Sequence, residues 1–252
     1  MILELRLSAL NYPAIKNQLD VLFSLQRKEI KLGLEHTHTL LDYLHNPEED
    51  LKMIHIAGTN GKGSTAAFIS SILIQKGYRV GVFTSPHLIK FNERIRVNSN
   101  SITDLEILEF LNKAKSAIKR IKSTFFETTT AMALSYFKSK DVDFAVIETG
   151  LGGRLDSTNV IKPLVSVITS ISLDHTDLLG DTVEKIAYEK AGIIKKNTPL
   201  IVGPNKKSVA DVFKKIAKKK ESKIIEIDPL DKVTVHESGT KFECYDQEFF
   251  IP

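Results

Sequence analysis

Met53-Ile54-His55-Ile56-Ala57-Gly58-Thr59-Asn60-Gly61-Lys62-Gly63-Ser64-Thr65, followed by the apolar run Ala66 to Leu73, is the stretch that decides the fold. The first five residues read as a buried strand, the glycines as a tight loop, and the run after them as a helix. Strand, glycine loop and helix in that order form the context a phosphate cradle requires. Glycines let the chain turn so that successive N–H groups and the helix N-terminus face one anion, and Lys62 adds a full positive charge for the β- and γ-phosphates. Thr59, Asn60, Gly61, Lys62, Gly63 and Ser64 are therefore the expected nucleotide-binding residues. The loop departs from the common G-x-x-x-x-G-K-[ST] pattern. Two residues separate Gly58 from Gly61, and Gly63 stands where a magnesium-binding hydroxyl usually follows the lysine. Ser64 is then left to phosphate, and magnesium needs other ligands. The bland alternative is a glycine-rich turn carrying a solvated lysine.

Working outward, short apolar runs rich in β-branched residues recur between helical stretches, the pattern of buried parallel strands joined by crossover helices. The expected strands are Lys52 to Ala57, Arg79 to Thr84, Asp143 to Glu148, Leu164 to Thr169, Pro199 to Val202 and Lys223 to Ile227. Helices are expected near Ser64 to Lys76, Asp104 to Lys122, Glu127 to Lys138, Thr182 to Lys190 and Lys207 to Glu221. Two more should precede the first strand, around Tyr12 to Arg27 and Thr37 to His45. The order implies an α/β fold, a mostly parallel sheet with helices on both faces. From Lys232 the pattern changes to short alternating segments, Val233 to His236 and Lys241 to Tyr245, about a Ser238-Gly239 turn. The chain then stops on Phe249-Phe250-Ile251-Pro252, an apolar ending that reads as a domain cut short.

With 252 residues, 42% hydrophobic and 26% charged, the chain can bury a sizeable core, which excludes a disordered or disulfide-stapled class. Its one cysteine, Cys244, allows no internal disulfide and too few ligands for a cysteine zinc site. A reducing compartment, the cytoplasm, is expected. No apolar run approaches the roughly 18 residues of a membrane span, and Glu4 and Arg6 interrupt the N-terminal apolar residues, so neither anchor nor signal peptide is expected. Residues 206–223 carry eight lysines against Asp211 and Glu221, more excess charge than the whole chain's +4. Such a stripe could bind nucleic acid or anionic lipid. Val209, Val212, Phe213, Ile216 and Ala217 recur at helical spacing between the lysines, however, and no aromatic joins them on the basic side. The expectation is a surface helix with a solvated lysine face.

Further motifs flank the loop: Thr84-Ser85-Pro86-His87-Leu88, Phe91-Asn92-Glu93-Arg94-Ile95-Arg96, Glu148-Thr149-Gly150-Leu151-Gly152-Gly153-Arg154-Leu155-Asp156-Ser157-Thr158-Asn159, Ser172-Leu173-Asp174-His175-Thr176 and Glu189-Lys190-Ala191-Gly192-Ile193-Ile194-Lys195. In this order the chain, from about Lys31 to Gly203, resembles the folylpolyglutamate synthase/dihydrofolate synthase family of the Mur ligase superfamily. The resemblance implies residues 1–252 are a Mur-ligase-type ATP-binding domain that lacks the family's C-terminal glutamate-binding domain, since no Asp-x-Ala-His-Asn-Pro motif is present. It also implies ATP and Mg as cofactors. The implied substrates are dihydropteroate or folates and L-glutamate, with no nucleic acid or membrane partner and a monomeric state.

The motifs also have a physical reading. Glu148 ends an apolar strand where a ligand site of an α/β sheet is expected, and its carboxylate suits a hard cation. The resemblance completes a metal set of Ser85, Glu148 and His175. By itself His175 reads equally well as a capping or surface histidine. Lys190 near a helix end, with Gly192 after it as a C-cap, would alone be a dipole-compensating surface lysine. The family carboxylates the matching lysine, so a carbamate on Lys190 that helps hold a second magnesium is implied, which requires burial to release its proton. Lys62, His175 and Lys190 are thus the implied catalytic set. Gly150 to Arg154 is a flexible turn ending in a bidentate donor. The resemblance places pterin and folate contacts at Arg154, Leu155 and Asp156 and at Ser85, Pro86 and His87, with Thr124 and Phe126 as candidates. A Phe125-Phe126 pair is more often core. His36 stands where relatives commonly carry arginine, and His36 and His38 do not make a metal pair.

The chemistry so implied is phosphorylation of a carboxylate by ATP, then displacement of phosphate by an amine to give an amide. Positioning and charge neutralisation would carry it, with no side-chain nucleophile. Two other functions stay open from the residues alone: another Mur-type amide ligase, or an ATP-binding module that needs a partner chain.

Overall fold

The computed structural model describes Leu22, Phe23, Leu25 and residues 33–228, 231–244 and 247–251. The expected helix at Tyr12 to Arg27 falls almost wholly outside the described residues.

An eight-stranded sheet has the order β4-β3-β2-β5-β1-β6-β7-β8. Six strands are parallel: β1 (Met53–Ala57), β2 (Val80–Phe83), β5 (Phe144–Glu148), β6 (Val165–Ile168), β7 (Leu200–Val202) and β8 (Ile224–Glu226). Each lies within two residues of its expected limits. The sequence reading had no counterpart for β3 (Ile95–Val97) and β4 (Asn100–Ser101), which add antiparallel at the β2 edge. Three and two residues are too few for alternation to show. The helices are α1 (Glu35–Tyr43), α2 (Lys62–Gln75), α3 (Asp104–Ile121), α4 (Phe125–Ser139), α5 (Thr176–Leu179), α6 (Val183–Lys190) and α7 (Lys207–Lys219). Both α3 and α4 open with capping boxes, Thr103 with Glu106 and Thr124 with Glu127. A second, antiparallel sheet of β9 (Asp231–His236), β10 (Gly239–Cys244) and β11 (Gln247–Ile251) follows.

Alternation along β1 divides the core. Met53 and Ala57 face one side of the sheet with His55, and Ile54 and Ile56 face the other. On the first side two separate apolar clusters form. One is built with α1, α3 and α4 and includes Met53, Phe83 and Ile147; the other is built with α6 and α7 and includes Ala57, Ile168 and Phe213. The connection from β5 to β6 fills the seam between them. On the second side α2 is the one described helix against the strands, packing Ala66 over Ile56, Val82 and Val146. The expected helical cover on both faces is therefore uneven, with α2 itself leaving Phe68 and Ile72 more than half exposed. The basic helix α7 behaves as its pattern predicts, burying Val209, Phe213 and Ala217 and turning its lysines outward.

Candidate nucleotide and metal site

The loop after β1 is held open by its neighbours. Gly58 has φ +154°, and a Cβ there would lie 1.7 Å from Thr169 Oγ1, so only glycine fits. Thr59 N–H donates to the Ser170 carbonyl at 2.8 Å, Thr59 Oγ1 to the Ser172 carbonyl at 3.1 Å, and Thr169 Oγ1 to the Asn60 carbonyl at 2.7 Å. These bonds pin the loop to the chain leaving β6. Gly61, at φ +80°, starts α2, whose first turn has no acidic residue. The first-turn N–H groups have no intrahelical acceptor, and nothing in that turn neutralises the positive end of the helix dipole.

Lys62 bends back so that Nζ donates to the Thr59 carbonyl at 3.1 Å and lies 3.9 Å from Glu148 Oε1. Glu148, almost wholly buried, accepts the Ser85 backbone N–H on Oε2 at 3.4 Å. Burial raises the carboxyl above its ordinary value, and Lys62, the Ser85 N–H and Arg94 pull against that rise. Lys190, also buried, donates from Nζ to the Gly58 carbonyl at 2.9 Å. Desolvation, with Lys62 nearby, lowers its pKa to about 8. The structure therefore gathers Lys62, Glu148, Ser85 and Lys190 around the glycine loop.

A hard cation suits part of the implied donor set. Glu148 supplies a buried carboxylate, and the hydroxyl-bearing Ser85 meets it through its backbone N–H. His175 differs: at φ 47° it precedes α5, its side chain is 57% exposed, and it approaches Asp174 at 3.8 Å. It forms no hydrogen bond or ion pair with Glu148 or Ser85, and no three His, Cys, Asp or Glu side chains cluster at metal-binding range among the described residues.

The glycine turn after Glu148 is packed from both sides. Phe126 lies over Gly150, where a Cβ would meet its ring at 2.3 Å, and its ring centroid is 5.9 Å from that of Phe83. Phe125 is core, stacked on Phe23. Thr124 caps α4. Gly153 abuts the Glu189 and Lys190 carbonyls. Arg154 does not aim its donors at the loop: Nε and Nη2 pair with Glu189 at 3.0–3.2 Å. Asp156 points inward and accepts Gly150 N–H, Leu151 N–H, Thr158 N–H and the Thr158 hydroxyl, which occupies all four of its acceptor positions. Leu155 is half-buried beside it. Gly192 is not the C-cap its position suggests. It lies in a 3-10 turn, Ala191–Ile193, that continues α6, and it is glycine because a Cβ would stand 2.2 Å from Arg154 Cα.

Pro86 follows Ser85 through a cis peptide, and His87 Nδ1 accepts Arg94 Nε–H at 2.8 Å. Desolvation and the guanidinium hold His87 below its usual pKa, hence neutral. Arg94 was legible only as part of a motif. It is 93% buried, lies 5.3 Å over the Phe125 ring, and its charge reaches Glu148. An arginine that follows Asn92 and Glu93 gives no sequence sign of facing inward. Asp174, whose charge favours the Lys190 cation, was likewise passed over for its neighbour His175. A groove of about 1110 Å³ lies elsewhere, between α6 and α7, lined by residues such as Arg154, Tyr188, Val212 and Lys219. No residue of the phosphate loop borders it, so volume does not mark this site.

A sheet with a glycine loop entering a helix, a lysine turned onto a strand-end carboxylate, and a desolvated lysine against the loop make a cradle of the phosphate-binding type. A Mur ligase middle domain model matches residues 56–250, and the chain belongs to that family. It is 47% identical over 192 residues to a dihydrofolate synthase/folylpolyglutamate synthase of Bacillus subtilis, covering 73% of this chain and 45% of that protein. The ligand-free folylpolyglutamate synthase of L. casei superposes with TM-score 0.86 at 36% identity, over 93% of this chain and 60% of that one. An E. coli protein solved with DHPP and ADP superposes with TM-score 0.81 at 35% identity, over 93% and 56%. The chain thus spans about half the length of its curated relatives.

Proposed function

We propose that this chain is the ATP-binding portion of a ligase that adds L-glutamate to folates, to dihydropteroate, or to both. The observation that carries the reading is Lys62 Nζ poised between the Thr59 carbonyl and Glu148 at the mouth of the phosphate loop. The loop amides and Lys62 would hold the β- and γ-phosphates of ATP. Ser85 and Glu148 would hold magnesium, with His175 joining from the adjacent loop; the ion supplies charge neutralisation on the phosphates. The γ-phosphoryl group passes to a substrate carboxylate oxygen, releasing ADP. The glutamate amine then attacks the acyl carbon, phosphate leaves, and the amine proton goes to solvent or phosphate.

Lys190 with its pKa near 8 has a reactive neutral fraction at pH 7, which supports its carboxylation. Asp156 would serve the folate side by fixing the backbone of the glycine turn, and Phe126, Pro86 and His87 by flanking it. The DHPP and ADP found with the E. coli relative agree with this substrate class. The reading includes a cytoplasmic monomer, for which light scattering gives the check on association. Calorimetric titration with a non-hydrolysable ATP analogue, with and without magnesium, tests the nucleotide half. Magnesium-dependent binding lost in Lys62→Ala is expected. Binding unchanged by that substitution refutes the assignment.

A further inference from the structure

His55 is a wholly buried histidine on β1 in the seam between the two apolar clusters, and the phosphate-loop chemistry makes no use of it. Its Nε2 lies 2.8 Å from Thr158 Oγ1, and Thr158 Oγ1 donates to Asp156 Oδ1. A threonine hydroxyl has one proton, so with that proton spent on Asp156 it can only accept from the imidazole. Nε2 must therefore carry a hydrogen. His55 Nδ1 is buried with no hydrogen-bond partner among the described residues, as the bare nitrogen of a neutral ring would be. Burial, with Lys195 nearby, drives the His55 pKa down to about 3, which agrees with a neutral ring.

We infer that His55 is a positioning residue for the glycine turn: its Nε2–H orients the Thr158 hydroxyl onto Asp156 Oδ1, and Asp156 Oδ2 is thereby fixed to receive the Gly150 and Leu151 amides. The donors converge on Asp156, from His55 through the Thr158 hydroxyl on Oδ1 and from the two turn amides on Oδ2. The turn's bonds to the carboxylate measure 2.9 Å from Gly150 N and 2.7 Å from Leu151 N to Oδ2, and 3.0 Å from Thr158 N to Oδ1. Gly150 and Leu151 directly follow Thr149, the residue after Glu148, so a buried imidazole sets the path of the chain beside the metal-binding carboxylate. A phenyl ring of similar volume would fill the space and leave the Thr158 hydroxyl without its donor. The inference concerns the backbone of this chain and does not depend on which substrate the ligase takes.

Nuclear magnetic resonance on the 252-residue chain tests it without any activity measurement. The nitrogen shifts of His55 should report a neutral ring protonated at Nε2 at pH 7; a ring protonated at Nδ1, or at both nitrogens, overturns the proposal. Amide exchange of Gly150 and Leu151 should quicken roughly tenfold in Thr158→Val relative to sheet amides such as Ala145, and return in Thr158→Ser, which keeps the hydroxyl. His55→Phe should quicken the same two amides. A uniform rise over the whole sheet, or no rise at Gly150 and Leu151, assigns His55 to packing alone and refutes a positioning role.

Discussion

Lys62 Nζ and Glu148 Oε1 stand 3.9 Å apart across the mouth of the phosphate loop, an ammonium from the first turn of α2, which follows β1, and a carboxylate from the end of β5, the strand paired with β1. Lys62 lowers the cost of keeping Glu148 charged in a desolvated corner. Lys62→Met should therefore do two things: weaken binding of a non-hydrolysable ATP analogue by about 1.5–3 kcal/mol, and drive the Glu148 carboxyl further up. Calorimetry reads the first and carbon-detected titration of labelled glutamate the second. Unchanged affinity would remove Lys62 from the phosphate site.

Gly58→Ala introduces a methyl where Thr169 Oγ1 already sits, in a backbone conformation that L-residues avoid. A loss of roughly 2–4 kcal/mol in folding stability is expected by urea denaturation. Thr169→Ala alone should cost far less, since it removes the bond to Asn60 but creates no overlap.

Phe126 and Gly150 form a second close pair, and here the flexible partner is a ring. Gly150→Ala should destabilise by about 1–3 kcal/mol, and much of that loss should vanish in the Phe126→Leu background. Additive losses in the double variant would show that the overlap is relieved by other means.

The Lys190 amine loses its proton through a pH of about 8. Incorporation of labelled carbon dioxide should accordingly rise as pH increases through 8 and be absent in Lys190→Arg. The folded pKa is below the unfolded value near 10.5, so the folded state binds fewer protons between those limits. Unmodified Lys190 therefore penalises folding in full below about pH 8, and the penalty fades as pH climbs toward 10.5. Chemical denaturation of the wild type against Lys190→Met at pH 7 and pH 10 measures that difference; an equal gap at both values contradicts it.

Much of this molecule was legible in its residues, for reasons that differ by element. The parallel strands are largely apolar on both faces, so β1, β5 and β6 stand out as apolar runs even with His55 in β1 and Ser166 in β6. The starts expected for α3 and α4, Asp104 and Glu127, fall within two residues of those observed. The β3–β4 hairpin was invisible because five residues cannot display a period. Gly192 misled because a glycine after a helix has two possible causes, a left-handed backbone or a close neighbour, and sequence alone favours the commoner one. Within the site, Lys62, Glu148, Ser85 and Lys190 lie about the glycine loop, whereas His175, expected in the same set, stands exposed beside Asp174. Arg154 and Asp156 were named for their chemistry, but a donor or acceptor spends itself on whatever lies nearest in space, here Glu189 and the turn amides.

The seam between the two apolar clusters has a mechanical consequence. The segment from Gly150 to Val160 touches α4 and the first cluster on one flank and the α6 end on the other, through Gly150 against Phe126 and Asn159 against the Gly192 carbonyl. Either cluster can loosen on its own only by dragging that segment with it. The same eleven residues therefore act as a hinge plate shared by two half-cores, and any strain a bound ligand places on the turn is felt in both at once.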